Sequence, residues 1–574
     1  MNLPRILLPL LTLFTAMLLG ACSDSDTNPT SSDAAQTSYD VIIRNGTIYD
    51  GSGEPPYQGD LAIIDERIAA IGDLDASSAE LEIDATGKAV SPGFINMMGW
   101  GVTSLIKDGR GVSDLTQGIT LEVFGEGNSM GPLNEKMKAE FSRGWEGVEP
   151  SWTTLDEYLI YMTQDVGISP NVASFIGAST PREYVLGEVD VAPTPEQMNQ
   201  MQDLVRDAMR DGALGVASSL IYTPGAFAST EELIGLAKAA GEYGGIYISH
   251  MRNEGKNVFE AADELLTIAR EANVHAEIYH LKMAHKKVWD RFPEMVAKIE
   301  AAREEGLSIT ADIYPYPAGS TGLDAIMPPW ANEGGFEKWV ERMKDPATRA
   351  KLKAEMDIDS DDWENMLIAG GPEGVLLVGF QNQALQKYVG MTLADVAKER
   401  GTSPKDTAMD LVIEDGTRVS AVYFTQSEKV VRQAVTLPWV SFCTDSETVA
   451  AEGEFLNNSI HPRGYGSFPR IMGKYVREEG LMTLETAIRK ATSLPAANLS
   501  IRQRGSLKEG YYADVLVFDP ETIIDKATFE KPHQYSVGME QVFVNGQQVI
   551  ADSVHTGAKP GQVVRGPGWT GWQD

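Results

Sequence analysis

Between residues 91 and 497, short apolar runs alternate with amphipathic stretches, and that alternation limits the folds open to the chain more than any other feature. Asn171 to Ile176, Gly212 to Ser218, Gly245 to Ser249, Glu277 to His280, Ser308 to Ile313 and Trp439 to Cys443 have the length and composition of strands. Thr194 to Arg210 and Phe292 to Glu305 have helical periodicity. Parallel βα units in this number predict an α/β fold, a TIM-like (β/α)8 barrel, rather than a doubly wound sheet. No glycine-rich nucleotide fingerprint follows the first strand, and the sequence shows no internal repeat. Residues 330–415, helical and highly charged, are expected to insert over one face of the barrel.

The two ends have a different texture. Tyr39 to Asp50 carries a hairpin-like Asn45-Gly46, Asp60 to Gly72 alternates apolar with polar residues, and Ala513 to Phe518 and Val542 to Gly546 repeat the pattern. Neither end is large enough for a stable sheet, so residues 39–90 and 498–574 are expected to form one composite, β-sandwich-like domain around the barrel of residues 91–497. The formal charge of −34 argues against nucleic acid as a partner, since phosphate binding draws on Lys and Arg.

Residues 1–21 have one cation, Arg5, then an apolar run and small residues, the layout of a secretory signal peptide. The run ends in Leu19-Gly20-Ala21-Cys22, which resembles a bacterial lipobox and implies acylation of Cys22. A plain signal peptide with an incidental cysteine is the alternative. Residues 22–38 are polar and form the expected disordered tether. Ser23 after the cysteine resembles outer-membrane sorting, so the expected location is a lipid anchor in a bacterial membrane, facing the periplasm.

An active site in such a barrel lies at the C-terminal ends of its strands. His250 and His280 each end a strand, and Asp445 ends a later one; the chain has seven histidines and none before His250. One such histidine alone is an ordinary structural residue, but two on neighbouring strands can share a metal while the aspartate handles the proton of its water. Alternation along Ile119 to Glu126 places Glu122 and Glu126 on one face. Glu126, nearer the strand's end, completes a His2Glu set suited to one zinc ion; Glu122, deeper, is expected to be held by an ion pair or hydrogen bonds. Arg252, Lys282 and Arg463 are cations suited to an anionic substrate, or else ordinary surface ion pairs.

With these residues in view, the chain resembles the N-acyl-D-amino-acid deacylases (D-aminoacylases) of the amidohydrolase superfamily. The resemblance lies in Asp40 to Gly46, Ser91 to Ile95, Ser249 to Gly255, Tyr279 to Lys282, Asp312 to Thr321 (DIYPYPAGST), His461 to Arg470 (HPRGYGSFPR) and Arg504 to Asp514, and it spans the mature chain. It implies hydrolysis of the N-acyl bond of a D-amino acid, with His250 and His280 on the metal and Asp445 as general acid/base. It further implies that Lys282, Tyr316 and Arg463 orient the substrate carboxylate and that Tyr222 polarises the carbonyl. The sequence departs from the family twice. Where the family has Asp-x-His-x-His, this chain has Asn96-Met97-Met98-Gly99-Trp100, and in place of a bridging cysteine it has Gly125-Glu126-Gly127. Methionine is a poor ligand for a borderline cation and indole is none, so one metal position is lost. Two other readings stay open: a cyclic-amide hydrolase or dipeptidase of the same superfamily, and a non-catalytic binding lipoprotein with a degenerate site.

Overall fold

The computed structural model describes residues 38–144 and 148–572. The signal peptide, most of the tether and Cys22 lie outside the described residues.

Eight strands form the barrel: β1 (Phe94–Asn96), β2 (Ile119–Phe124), β3 (Asn171–Ser174 continued by Ile176–Gly177), β4 (Gly215–Ser219), β5 (Ile246–His250), β6 (Ala276–Ile278), β7 (Ile309–Ile313) and β8 (Val440–Phe442). Neighbours run parallel around the ring. The ring closes between β8 and β1, where the Met97 N–H donates to the Phe442 carbonyl and the Asp445 N–H to the Met98 carbonyl. The intervening helices form for local reasons. Pro195–Asp211 opens on a capping box of Thr194 and Gln197 with proline in its first turn, buries Met201, Val205, Ala208 and Met209, and stops at Gly212 at φ 102°.

Strands from both chain ends share one nine-stranded sheet, stitched where Ala89–Pro92 runs antiparallel to Val515–Phe518. Asn45-Gly46 is not a hairpin. Ser38–Ile48 is one strand, and the pair forms a bulge in it, with the register shifting between Ile43 and Gly46 and Asn45 at φ 57°. The C-terminal part also does more than complete the sheet. Val563 bridges to Val172 of β3, and Arg565 donates to the Asp211 carbonyl, so the last residues brace the barrel's N-terminal face.

The insertion is wider than residues 330–415. Gly319–Gly322 pairs antiparallel with Ser420–Tyr423, which pairs in turn with Val375–Gly379, and the unit has its own apolar core around Trp339, Met343, Leu377, Leu411 and Tyr423. Two short strands with few large apolar residues close it, and they are invisible to periodicity at that length.

Glu122 sits fully buried beneath the site and has no cationic partner among the described residues; Asn96 Nδ2 donates to Glu122 Oε2 at 3.1 Å, and Asp114 lies against it. Burial and the Asp114 charge push the Glu122 carboxyl well above its usual range, which favours its protonated form beside Asp114. Its folded pKa lies above its unfolded one, so its contribution to stability is complete below the ordinary carboxylate range and is lost as pH rises through the folded value. Glu122→Gln mimics the neutral acid. In thermal melts it should match the wild type near about pH 5 and exceed it near about pH 8, by about 1 kcal/mol or more. A variant equally destabilised at both pH values would show that Glu122 is ionised.

Candidate active site

The barrel gathers Glu126, His250 and His280 at the C-terminal ends of β2, β5 and β6, all buried. Glu126 Oε1 lies 2.9 Å from His250 Nδ1 and 3.7 Å from His280 Nε2, and the two imidazoles meet edge to face at 4.6 Å. Ser219 Oγ donates to the same Glu126 oxygen at 3.0 Å. Burial works against a charge on Glu126, but the two imidazoles outweigh it and hold the carboxyl down to about 2.

Behind the imidazoles stands Glu254, which pattern reading passed over. Its Oε2 lies 3.1 Å from His250 Nε2 and its Oε1 lies 3.1 Å from His280 Nδ1, both off the hydrogen-bond line but within ion-pair reach. Lys282 Nζ adds a contact of 2.8 Å to Oε2. Burial pushes this carboxyl up, and His250, Lys282 and His280 together hold it well below its usual range. Lys282 Nζ also lies 2.7 Å from His280 Nδ1, so Glu254 and Lys282 together meet the far side of that ring, while Glu254 meets the far side of the His250 ring. Glu126 Oε1, His250 Nδ1 and His280 Nε2 point inward together, one carboxylate and two imidazoles, the donor types of a hydrolytic zinc site. Among the described residues this is the one group of at least three such side chains close enough to hold an ion.

Asp445 follows β8 at φ 49° and is almost enclosed; His280, likewise at positive φ (36°), follows β6. Strained backbone of this kind collects at functional sites. Arg463 Nη1 reaches Asp445 Oδ2 at 2.6 Å, and the Trp100 indole N–H donates to Oδ1 at 3.2 Å.

The expected substrate cations divide three ways. Arg252 is not available to a ligand: its guanidinium is spent on Glu264 at 2.9 Å and on the carbonyls of Ala226 and Ala228, which makes it a brace between loop and helix. Lys282 and Arg463 do face the site, on Glu254 and Asp445 respectively. Tyr316 is turned away, its hydroxyl donating to Asp525 at 3.2 Å and its ring under Arg470. Tyr314 takes its expected place. The ring lies 4.5 Å from the Arg463 guanidinium and 5.7 Å from Lys282 Nζ, and Gln426 Nε2 donates to its hydroxyl at 2.7 Å. Tyr222 presents its ring to the His250 imidazole at 5.5 Å.

Comparisons with known proteins identify the family. A model described as the Amidohydrolase family matches residues 460–550. The chain is 32% identical over 544 residues to the D-aminoacylase of Alcaligenes xylosoxydans xylosoxydans, covering 94% of this chain and 99% of that one. The fold superposes with a TM-score of 0.75 and 31% identity on N-acyl-D-glutamate deacylase of Bordetella bronchiseptica, a structure holding zinc and a phosphonate mimic of the tetrahedral intermediate; 92% of this chain and all of that one are covered. A D-aminoacylase structure described by a binuclear metal centre, one-metal activation and second-metal attenuation superposes at 0.76 with 32% identity, over 92% of this chain and all of that one. The extent of these likenesses, together with the ligand triad and the Asp445 corner, places the chain in the D-aminoacylase family of the amidohydrolases.

Proposed function

We propose that this protein is a zinc-dependent deacylase that hydrolyses the amide bond of N-acyl-D-amino acids. The observation that carries the reading is the inward-facing triad of Glu126, His250 and His280, its imidazoles backed by Glu254, with Asp445 at the barrel's seam beside it. Zinc held by that triad would supply Lewis acidity and an acidified water. Asp445 takes the proton of the attacking water and passes it to the leaving amine. Lys282, Arg463 and Tyr314 offer a cationic wall to the substrate carboxylate, and Tyr222, its ring against His250, is the residue assigned to the carbonyl oxygen. The D configuration rests on the relatives, a D-aminoacylase and an N-acyl-D-glutamate deacylase.

A panel of paired N-acyl-D- and N-acyl-L-amino acids, with the amides of the best substrates, tests the reading. D substrates with a free carboxylate should be turned over preferentially, and Lys282→Met should lower kcat/KM about ten-fold or more, as befits a charged hydrogen bond. Equal turnover of acid and amide would remove the cationic wall from substrate binding, and hydrolysis confined to cyclic amides would move the chain elsewhere in the superfamily.

Metal content gives a second test. Purified protein should hold one zinc; Glu126→Gln should lose it and all turnover, and Glu254→Gln should weaken zinc binding about 10–100-fold through misdirected imidazoles. Zinc retained at full affinity in Glu126→Gln would disprove the third ligand. Zinc-free, inactive wild type would favour a binding lipoprotein.

We also infer that the chain is exported and lipid-anchored. Leu19-Gly20-Ala21-Cys22 and the polar stretch up to Ser38, where the sheet begins, support this. Cys22→Ser should release the protein from the membrane fraction or leave it unprocessed, without loss of activity. Wild type recovered wholly in the soluble fraction with a free Cys22 thiol would rule the anchor out.

A further inference from the structure

The corner that holds Asp445 is assembled from the residues that make this sequence unusual. Beyond β1 and β8 the backbone continues in register. The Asp445 N–H donates to the Met98 carbonyl and the Trp100 N–H to the Ser446 carbonyl, each at 2.9 Å, and Gly99 bridges to Ser446. The Met98 side chain is 1% exposed, in an apolar cluster with Ile95, Leu121, Tyr279, Tyr314 and Cys443 against which the Trp100 ring packs. Thioether and ring carbons offer nothing to a cation at this place. Asp445, for its part, lies outside the group of ligand atoms that gathers Glu126, His250 and His280. Two protein donors hold its carboxylate, the indole N–H on Oδ1 and the guanidinium on Oδ2.

We propose that Trp100 is a positioning residue for the catalytic carboxylate, doing with an N–H what a second metal ion does for an aspartate in a binuclear centre. With Met98, it also commits the protein to a single ion, so that excess zinc does not attenuate it. The inference rests on the deacylase reading and adds to it. It assigns the orientation of Asp445 to a side chain, where a metal would make that orientation depend on zinc supply. A carboxylate held by Arg463 alone is free to rotate about that contact; two donors on separate oxygens leave one plane.

Trp100→Phe keeps the ring and drops the N–H. It should fold with wild-type stability, hold one zinc, and lower kcat about 10–100-fold with KM within about two-fold, as expected for loss of one hydrogen bond to a charged group that acts in the chemical step. The wild type should still hold one zinc per chain by elemental analysis after incubation with excess zinc, while Met98→His/Trp100→His should take up a second. A readout independent of turnover is the indole N–H resonance of Trp100, assigned by its loss in Trp100→Phe; in metal-free and zinc-loaded protein alike it should move when Asp445 is changed to Ala. Wild-type kcat in Trp100→Phe, or an indole resonance indifferent to Asp445, would overturn the positioning role. A second zinc in the wild type would overturn the commitment to one ion. Inactive wild type whose indole resonance still responds to Asp445 would sink the deacylase reading and leave the contact standing.

Discussion

A carboxylate sealed from water must be met by positive charge or by a proton, and Glu254 is the group on which this site turns. One side chain holds the outer nitrogens of both imidazoles and the Lys282 ammonium. Removing any of these partners would leave an uncompensated charge in the interior, which costs far more than the pair contributes. The insertion is tied to the same point, since Glu364 accepts the Glu254 backbone N–H at 2.5 Å. Burial and the Glu254 charge push the Glu364 carboxyl up to about 7, so a partly neutral acid backs the charged one. The ligand triad faces inward because its supports are held from behind, by a segment more than a hundred residues further along the chain.

The mouth of the site is built with similar economy. His461 Nε2 lies 3.0 Å from the Ala318 carbonyl, and its Nδ1 accepts from the Arg463 N–H. Burial and neighbouring Arg463 hold this imidazole well below its usual range, so it stays neutral with one nitrogen donating and the other accepting. It thereby pins the loop bearing Tyr314 to the turn bearing Arg463. Phe529, from the stretch between two strands of the outer sheet, packs on His461, Tyr316 and the insertion's Phe424. The C-terminal segment, the insertion and the barrel therefore meet at one aromatic contact beside the cationic wall.

The residues that could be read from sequence are those whose role follows from position on a regular element. His250, His280 and Asp445 were legible because each ends a strand, and Glu126 because strand alternation singles it out near the strand's end. What failed lies where the backbone leaves regular structure. Pro315 separates Tyr314 from Tyr316, and past the end of β7 the alternation that would choose between them no longer applies; Tyr314 took the inner position and Tyr316 went to Asp525. Arg252 follows a strand-ending histidine as closely as Lys282 follows its own, but a helix residue, Glu264, lies within reach of Arg252 and claims it. Glu254 gave no signal, since one acid in a loop is indistinguishable from a solvated one until the fold shows what it touches. Asn45-Gly46 has the composition of a hairpin turn, and only pairing on both edges of Ser38–Ile48 shows that the strand runs through it.

Charge gives the last step. The acidic side chains meeting around the triad, Glu126, Glu254, Asp312 and Asp445, outnumber the two cations, Lys282 and Arg463. Burial and neighbouring positive charge pull both imidazoles down, yet Glu254 and Glu126 outweigh them and hold both rings above their usual range. An excess of buried carboxylate over cation is the electrostatic setting that favours a divalent ion on the triad. Met98 and Trp100 add no charge of either sign to it, and Arg463 is already engaged with Asp445.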